Sequence, residues 1–121
     1  MRKSSFEELV RQAVTNIPLD FRLIMQNVDV QVRNNPTLRQ LRKALLAPGQ
    51  ELLGIYEVVS PSRKKENNTA LRDKVTIFQS SIENMCSSDE EILHVIQKTV
   101  IHEVAHFFGI TEVELEAWGV V

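Results

Sequence analysis

The sequence lacks the features that would tie it to an oxidising compartment, a membrane or a charged polymer. Its 121 residues include one cysteine, Cys86, so no disulfide can form within the chain. The formal net charge is −2, which favours neither a nucleic-acid partner nor an anionic membrane surface. No apolar run reaches the roughly 20 residues of a membrane span, and none follows the basic start MRK. We therefore expect a cytoplasmic protein that binds neither nucleic acid nor membrane.

Internal repeats and low-complexity tracts are also absent, and the composition is that of an ordinary globular protein. Hydrophobic residues make up 43% of the chain and charged residues 25%. This length suits one domain, residues 1–121, whose hydrophobic core needs no covalent staples.

Hydrophobic periodicity predicts three short strands among four or five helices. The strands are predicted in VDVQV, ELLGIYEVV and DKVTIFQ, where β-branched and aromatic residues are frequent. An amphipathic helix is predicted in SSFEELVRQAVTNI, where Ser5 and Glu8 form a capping-box pattern. The polar run at 60–69 is predicted to be a loop. Because strands and helices alternate irregularly, we expect an α+β fold and not a doubly wound parallel sheet.

The strongest helical pattern in the chain covers residues 89–107. Ser88 and Glu91 form a capping-box pattern at its start, and Gly109 is placed to end it in a left-handed conformation. The residues predicted to face the core are Ile92, Val95, Ile96, Thr99 and Val100.

Two histidines lie four residues apart in this helix. His102 and His106 therefore share a face, with β-carbons about 5–6 Å apart, and two imidazoles at that spacing can converge on one metal ion. Glu103 is placed to hydrogen-bond a water molecule on that ion. In H-E-x-x-H metalloproteases the histidines hold zinc and the glutamate is the general base. HEVAH therefore predicts a zinc site with Glu103 as the catalytic residue.

A third ligand is expected beyond the helix, because a catalytic zinc ion usually has three protein ligands and one open position. Gly109 would let the chain turn sharply, and Glu112 then occupies the position that metzincins give to histidine. A carboxylate oxygen can ligate zinc, so we expect Glu112 to be this ligand. Glu114 is the rival, although it is also placed to form a capping box with Thr111 at the start of a last short helix.

With these residues, the chain resembles the minimal zincins, which are small bacterial zincin-like metallopeptidase domains. Their motif is H-E-x-x-H-x-F-G followed by an acidic stretch, and HEVAHFFGITEVELEAWG fits it with Phe108 and Gly109 in place. Weaker similarity extends over SFEELVRQAVTNIP, LLGIYEVVSPSR and LRDKVTIFQSSIE, so the resemblance covers most of the chain.

The resemblance implies a zincin-like fold in which a short mixed sheet of about three strands packs against the active-site helix. It implies one zinc ion and hydrolysis of a peptide or protein substrate. The family roles carry over to His102 and His106 as ligands and to Glu103 as the base. Glu112 carries over as the third ligand, with Glu114 as the alternative.

A non-catalytic module is the alternative function. Its site would only tie the last two helices together, and its role would be to bind a protein partner. Glu103 argues against this interpretation, because a structural zinc site normally closes with four ligands and needs no carboxylate beside the first.

Three further expectations concern the surroundings of the site. An extended substrate would lie along a sheet edge near the helix, and we expect DKVTIFQ to form that edge. The aromatic residues Phe107, Phe108 and Trp118 are predicted to lie in the core. Cys86 is predicted to be a buried small hydrophobic residue.

Overall fold

The computed structural model describes residues 1–59 and 72–120. Within them the helices are α1 (Lys3–Thr15), α2 (Leu19–Ile24), α3 (Leu38–Ala44), α4 (Gln79–Met85), α5 (Asp89–Phe108) and α6 (Glu112–Ala117). The strands are β1 (Val28–Arg33), β2 (Gly54–Glu57) and β3 (Asp73–Phe78). The predicted α+β class and the three predicted strands are confirmed. The loop predicted at 60–69 lies outside the described residues.

The three strands form one mixed sheet in the order β1-β3-β2. β1 pairs with β3 in parallel, and β2 pairs with β3 antiparallel, so that Tyr56 lies opposite Val75. The prediction that β3 is an edge strand is therefore wrong, because it is central. Its last four residues, Val75 to Phe78, are all buried, as expected for a strand covered on both faces. The edge strand beside α5 is β2.

Helix α5 packs against α1 and against the strands β2 and β3. The main core contains completely buried side chains from several of these elements: Phe6, Phe21, Ile77, Ile96, Val100 and Val104. Leu52, Ile55 and Phe78 form a second, smaller cluster. None of the described helices combines the length and the apolar character that crossing a bilayer requires.

The ends of α5 are set by local hydrogen bonds. Ser88 accepts the N–H of Glu91 at 3.2 Å, but the Glu91 carboxylate accepts the N–H of Ser87, so only half of the predicted capping box forms. At the other end Gly109 has φ +71°, and the N–H of Ile110 donates to the carbonyl of Ala105 at 2.8 Å. The predicted left-handed end of the helix is therefore confirmed.

The capping box predicted at Ser5 is wrong. Helix α1 begins earlier, at Lys3, and Arg2 precedes it without a side-chain cap. Glu8 instead accepts a hydrogen bond from Arg11, three residues further along the exposed face. Ser5 therefore lies inside the helix and not at its N-cap.

Candidate metal centre

Helix α5 has two different faces. Ile96, Val100 and Val104 recur every four residues and are buried in the main core. His102, Glu103 and His106 lie on the rest of the surface, where Glu103 is half-buried and His106 is exposed. The same helix therefore anchors itself in the core with one stripe of side chains and presents polar groups with another.

Glu103 is held against the edge of the sheet. The backbone N–H of Tyr56 in β2 donates a hydrogen bond to Oε1 of Glu103 at 3.2 Å. Burial raises the pKa of the Glu103 carboxyl, while this hydrogen bond and the charges of His106 and His102 oppose the increase. A carboxylate with a raised pKa is a better proton acceptor near neutral pH than an ordinary one.

Gly109 allows close approach between α5 and α6. The chain turns in the left-handed conformation at this glycine, and α6 begins three residues later. As a result Nε2 of His102 lies 2.9 Å from Oε1 of Glu112. Two of the predicted ligands, from different helices, therefore meet directly.

Glu114 has a different role. Its Oε1 accepts the backbone N–H of Thr111 at 3.2 Å, and its own N–H donates to Oγ1 of Thr111 at 3.2 Å. The predicted capping box at the start of α6 is confirmed. The Glu114 carboxylate is engaged in this cap, while that of Glu112 contacts His102.

His106 lies one turn along α5 from His102 and does not join this pair. Across residues 1–59 and 72–120, no three side chains of His, Cys, Asp or Glu converge closely enough to hold a metal ion. The structure thus brings His102 and Glu112 together and leaves His106 apart from that pair, while Glu103, the residue after His102, lines a cleft with His106.

The chemistry of the donor set fits zinc. Two imidazoles and a carboxylate are a common ligand set for catalytic zinc. The 2.9 Å between Nε2 of His102 and Oε1 of Glu112 is the length of a hydrogen bond, so these two side chains meet without an ion between them.

Three aromatic residues that were predicted to lie in the core do not lie there, so this prediction is wrong. Phe107, Phe108 and Trp118 are each 46% exposed. The rings of Tyr56 and Phe107 stack with centroids 4.0 Å apart and planes 9° from parallel, and Phe108 meets both edge-on. These rings extend along the surface next to Glu103. Cys86 is half-buried and packs against the main core.

Sequence reasoning did not assign Tyr56 a place in the site, although one signal was available. Gly54 lies inside the same strand, and a β-carbon there would be 2.8 Å from Cγ2 of Thr99 and 3.1 Å from the carbonyl of Thr76. A glycine inside a predicted strand often marks close approach of another element. Here the absent side chain lets β2 lie against α5, which brings the Tyr56 amide to Glu103.

Comparison with known proteins gives two findings. A family model described as zincin-like metallopeptidase matches residues 25–120. A solved structure, titled as a conserved hypothetical protein from T. thermophilus, is 19% identical in sequence and superposes with a TM-score of 0.57. The match covers 89% of this chain and 94% of that protein. At that identity the likeness shows a common fold. The search of curated proteins finds no match.

Proposed function

Because the chain belongs to the zincin-like metallopeptidase family, we propose that it is a zinc-dependent peptidase that hydrolyses a peptide or protein substrate. We assign one zinc ion to the ligands His102, His106 and Glu112, and the general base to Glu103. The observation that carries this proposal is the 2.9 Å contact between His102 and Glu112 across the Gly109 turn. It supports ligation because an imidazole and a carboxylate from separate helices meet, and the imidazole belongs to the residue that directly precedes the proposed base.

Glu103 would carry the proton transfers. Zinc, when bound, supplies a Lewis acid that lowers the pKa of water to about 7. The Tyr56 amide occupies Oε1 of Glu103, so we assign Oε2 to accept the proton of the attacking water. Glu103 would then deliver this proton to the amine that leaves when the peptide bond breaks. The raised pKa of its carboxyl suits a group that must both take and return a proton.

Strand β2 is the proposed docking edge for the substrate. It pairs with β3 on one side, and its other side lies against the Glu103 carboxylate. An extended peptide beside an edge strand can form main-chain hydrogen bonds that do not depend on side-chain identity, and here they would use groups of β2 other than the Tyr56 N–H, which Glu103 already accepts. This arrangement would bring the peptide backbone near the base.

The test is a comparison of Glu103→Gln with the parent protein on a peptide library. We expect Glu103→Gln to bind one equivalent of zinc as the parent does but to hydrolyse the library at least about 100-fold more slowly. Glu90→Gln is the matched control, because Glu90 is an exposed glutamate at the start of the same helix. It should retain both zinc binding and turnover.

The outcomes separate the proposal from its alternative. Zinc binding with no Glu103-dependent hydrolysis would favour a non-catalytic module. Equal turnover by Glu103→Gln and the parent would reject Glu103 as the base.

Metal analysis of His106→Ala tests the proposed ligand that does not contact the other two. We expect weaker zinc binding, and unchanged affinity would remove His106 from the ligand set.

A further inference from the structure

A small cleft joins the proposed base to the exposed aromatic rings. Its volume is about 280 Å³, and its walls are Tyr56, Glu103, His106 and Phe107. The last three residues lie three and four positions apart on α5 and therefore share one face of the helix. Tyr56 closes the cleft from β2. The helix wall thus carries a carboxylate, an imidazole and the Phe107 ring, and the Tyr56 ring stacks on that of Phe107 from β2.

Tyr56 presents its ring to this cleft, because its hydroxyl is already engaged. The hydroxyl donates to Oδ2 of Asp73 at 2.9 Å, and burial, followed by this hydrogen bond and the Asp73 charge, raises the pKa of Tyr56. The backbone N–H of the same residue binds Glu103. Tyr56 is therefore held both at its main chain and at the end of its side chain, which fixes the ring against Phe107.

Phe107 is only partly covered by these neighbours. One face of its ring stacks on Tyr56 and Phe108 meets it at 90°, yet 46% of the residue is exposed. A large apolar side chain that stays exposed to water loses the stabilisation that its burial in the core would provide. A ligand with an apolar group could recover that burial by covering the ring.

Glu103 also lines a second cleft, on the side of Thr99 and His102. This cleft measures about 400 Å³, and its walls combine aliphatic side chains such as Leu52 and Met85 with polar and charged ones such as Lys98. None of the described residues that line it is a phenylalanine, tyrosine or tryptophan, so the two sides of Glu103 differ in that respect. Recognition of an aromatic group is therefore expected on the Phe107 side and not on the other.

We propose that the cleft beside the stacked rings of Tyr56 and Phe107 is a specificity subsite that receives an aromatic side chain from a substrate residue next to the scissile bond. This inference rests on the proposed peptidase function. An aromatic substrate side chain would stack on these rings or meet their edges. Such aromatic pairs contribute binding energy beyond that of burying the same apolar surface. The preference applies on one side of the scissile bond only, because one cleft has aromatic walls.

The test uses the zinc-loaded full chain and quenched-fluorescence peptides that vary at the two positions flanking the cleaved bond. We expect phenylalanine or tyrosine at one of these positions to give kcat/KM at least about tenfold above alanine or aspartate. In Phe107→Ala the ratio of kcat/KM between the aromatic peptide and the alanine peptide should fall towards one. Leu19→Ala is the control, since Leu19 is a 61% exposed apolar residue on α2, a helix that lines neither of the two clefts. It should keep the preference.

A second variant guards against misfolding. Phe107→Leu retains apolar volume but removes the ring, so we expect it to accept leucine peptides and lose the advantage of aromatic ones. Glu103-dependent hydrolysis with a preference that survives both substitutions would overturn the subsite alone. An equal preference on both sides of the bond would also overturn it. Absence of Glu103-dependent hydrolysis across the whole library would overturn the proposed function, and the subsite with it.

Discussion

The two faces of α5 differ in what holds their side chains. Ile96, Val100 and Val104 are buried completely by α1 and the sheet. On the other face, His102 is 31% exposed and meets Glu112 from α6. The buried face gains its stability from contacts with many parts of the chain, whereas the site face depends on a few contacts at the edge of the sheet and near the end of the chain. Stability and chemistry can therefore be altered separately on one helix.

Ile96→Ala should have the largest effect on stability. Removing a completely buried isoleucine side chain leaves a cavity, which costs about 2–5 kcal/mol of unfolding free energy. His106→Ala, on the exposed face, should change the stability of the metal-free protein by less than about 0.5 kcal/mol. Urea denaturation in the presence of a chelator measures both. Similar losses in the two variants would contradict the division between the faces.

Gly54→Ala tests the point where the site face meets the sheet. A β-carbon at this position would overlap Cγ2 of Thr99 at 2.8 Å, and we expect a loss of about 1–3 kcal/mol. It should also reduce hydrolysis, because displacement of β2 moves the Tyr56 amide that holds Glu103. Adding Thr99→Ser removes Cγ2 and should restore part of the stability. If the double variant is no more stable than Gly54→Ala, the overlap with Thr99 is not the cause.

Glu112→Ala and Glu114→Ala separate ligation from capping within one turn of α6. Glu114→Ala removes the cap on Thr111 and should cost about 1 kcal/mol in the metal-free protein, with little change in zinc affinity. Glu112→Ala should lower zinc affinity at least about tenfold and leave the metal-free stability almost unchanged. Zinc titration and urea denaturation distinguish the two, and the reverse result would make Glu114 the ligand.

Cys86 should show the smallest effect. Burial, and then the charge of Glu91 on α5, raise the pKa of its thiol. A pKa raised on folding stabilises the protein below the ordinary thiol pKa, and this contribution is lost as the pH rises through the raised value. We therefore expect iodoacetamide to alkylate Cys86 more slowly at pH 8 in the folded protein than in urea. Equal rates would show that the folded environment does not protect the thiolate.

Short-range signals in the sequence were sufficient for the local structure around the candidate site. The spacing of His102 and Glu103 on one helix, the left-handed Gly109 and the Thr111 cap all depend on residues within a few positions of one another, and their local structure was predicted correctly. The central position of β3 depends instead on which strands pair, and hydrophobic alternation does not encode that order.

The exposure of Phe107 could not be predicted for a related reason. Its position on α5 follows from periodicity, but whether it faces a core or a cleft depends on where β2 lies. That position depends on the contact between Gly54 and Thr99, which are far apart in the sequence. The half-formed cap at Ser88 is a smaller example, in which Glu91 bonds the N–H of a different residue from the one its spacing predicts.

The hydrogen bond from Tyr56 to Glu103 comes from the main chain, and every amino acid except proline can supply it at position 56. Exchange of the Tyr56 ring for another group should therefore leave this hold on Glu103 in place. Evolution can then diversify the surface at this one position while the orientation of the Glu103 carboxylate is inherited intact.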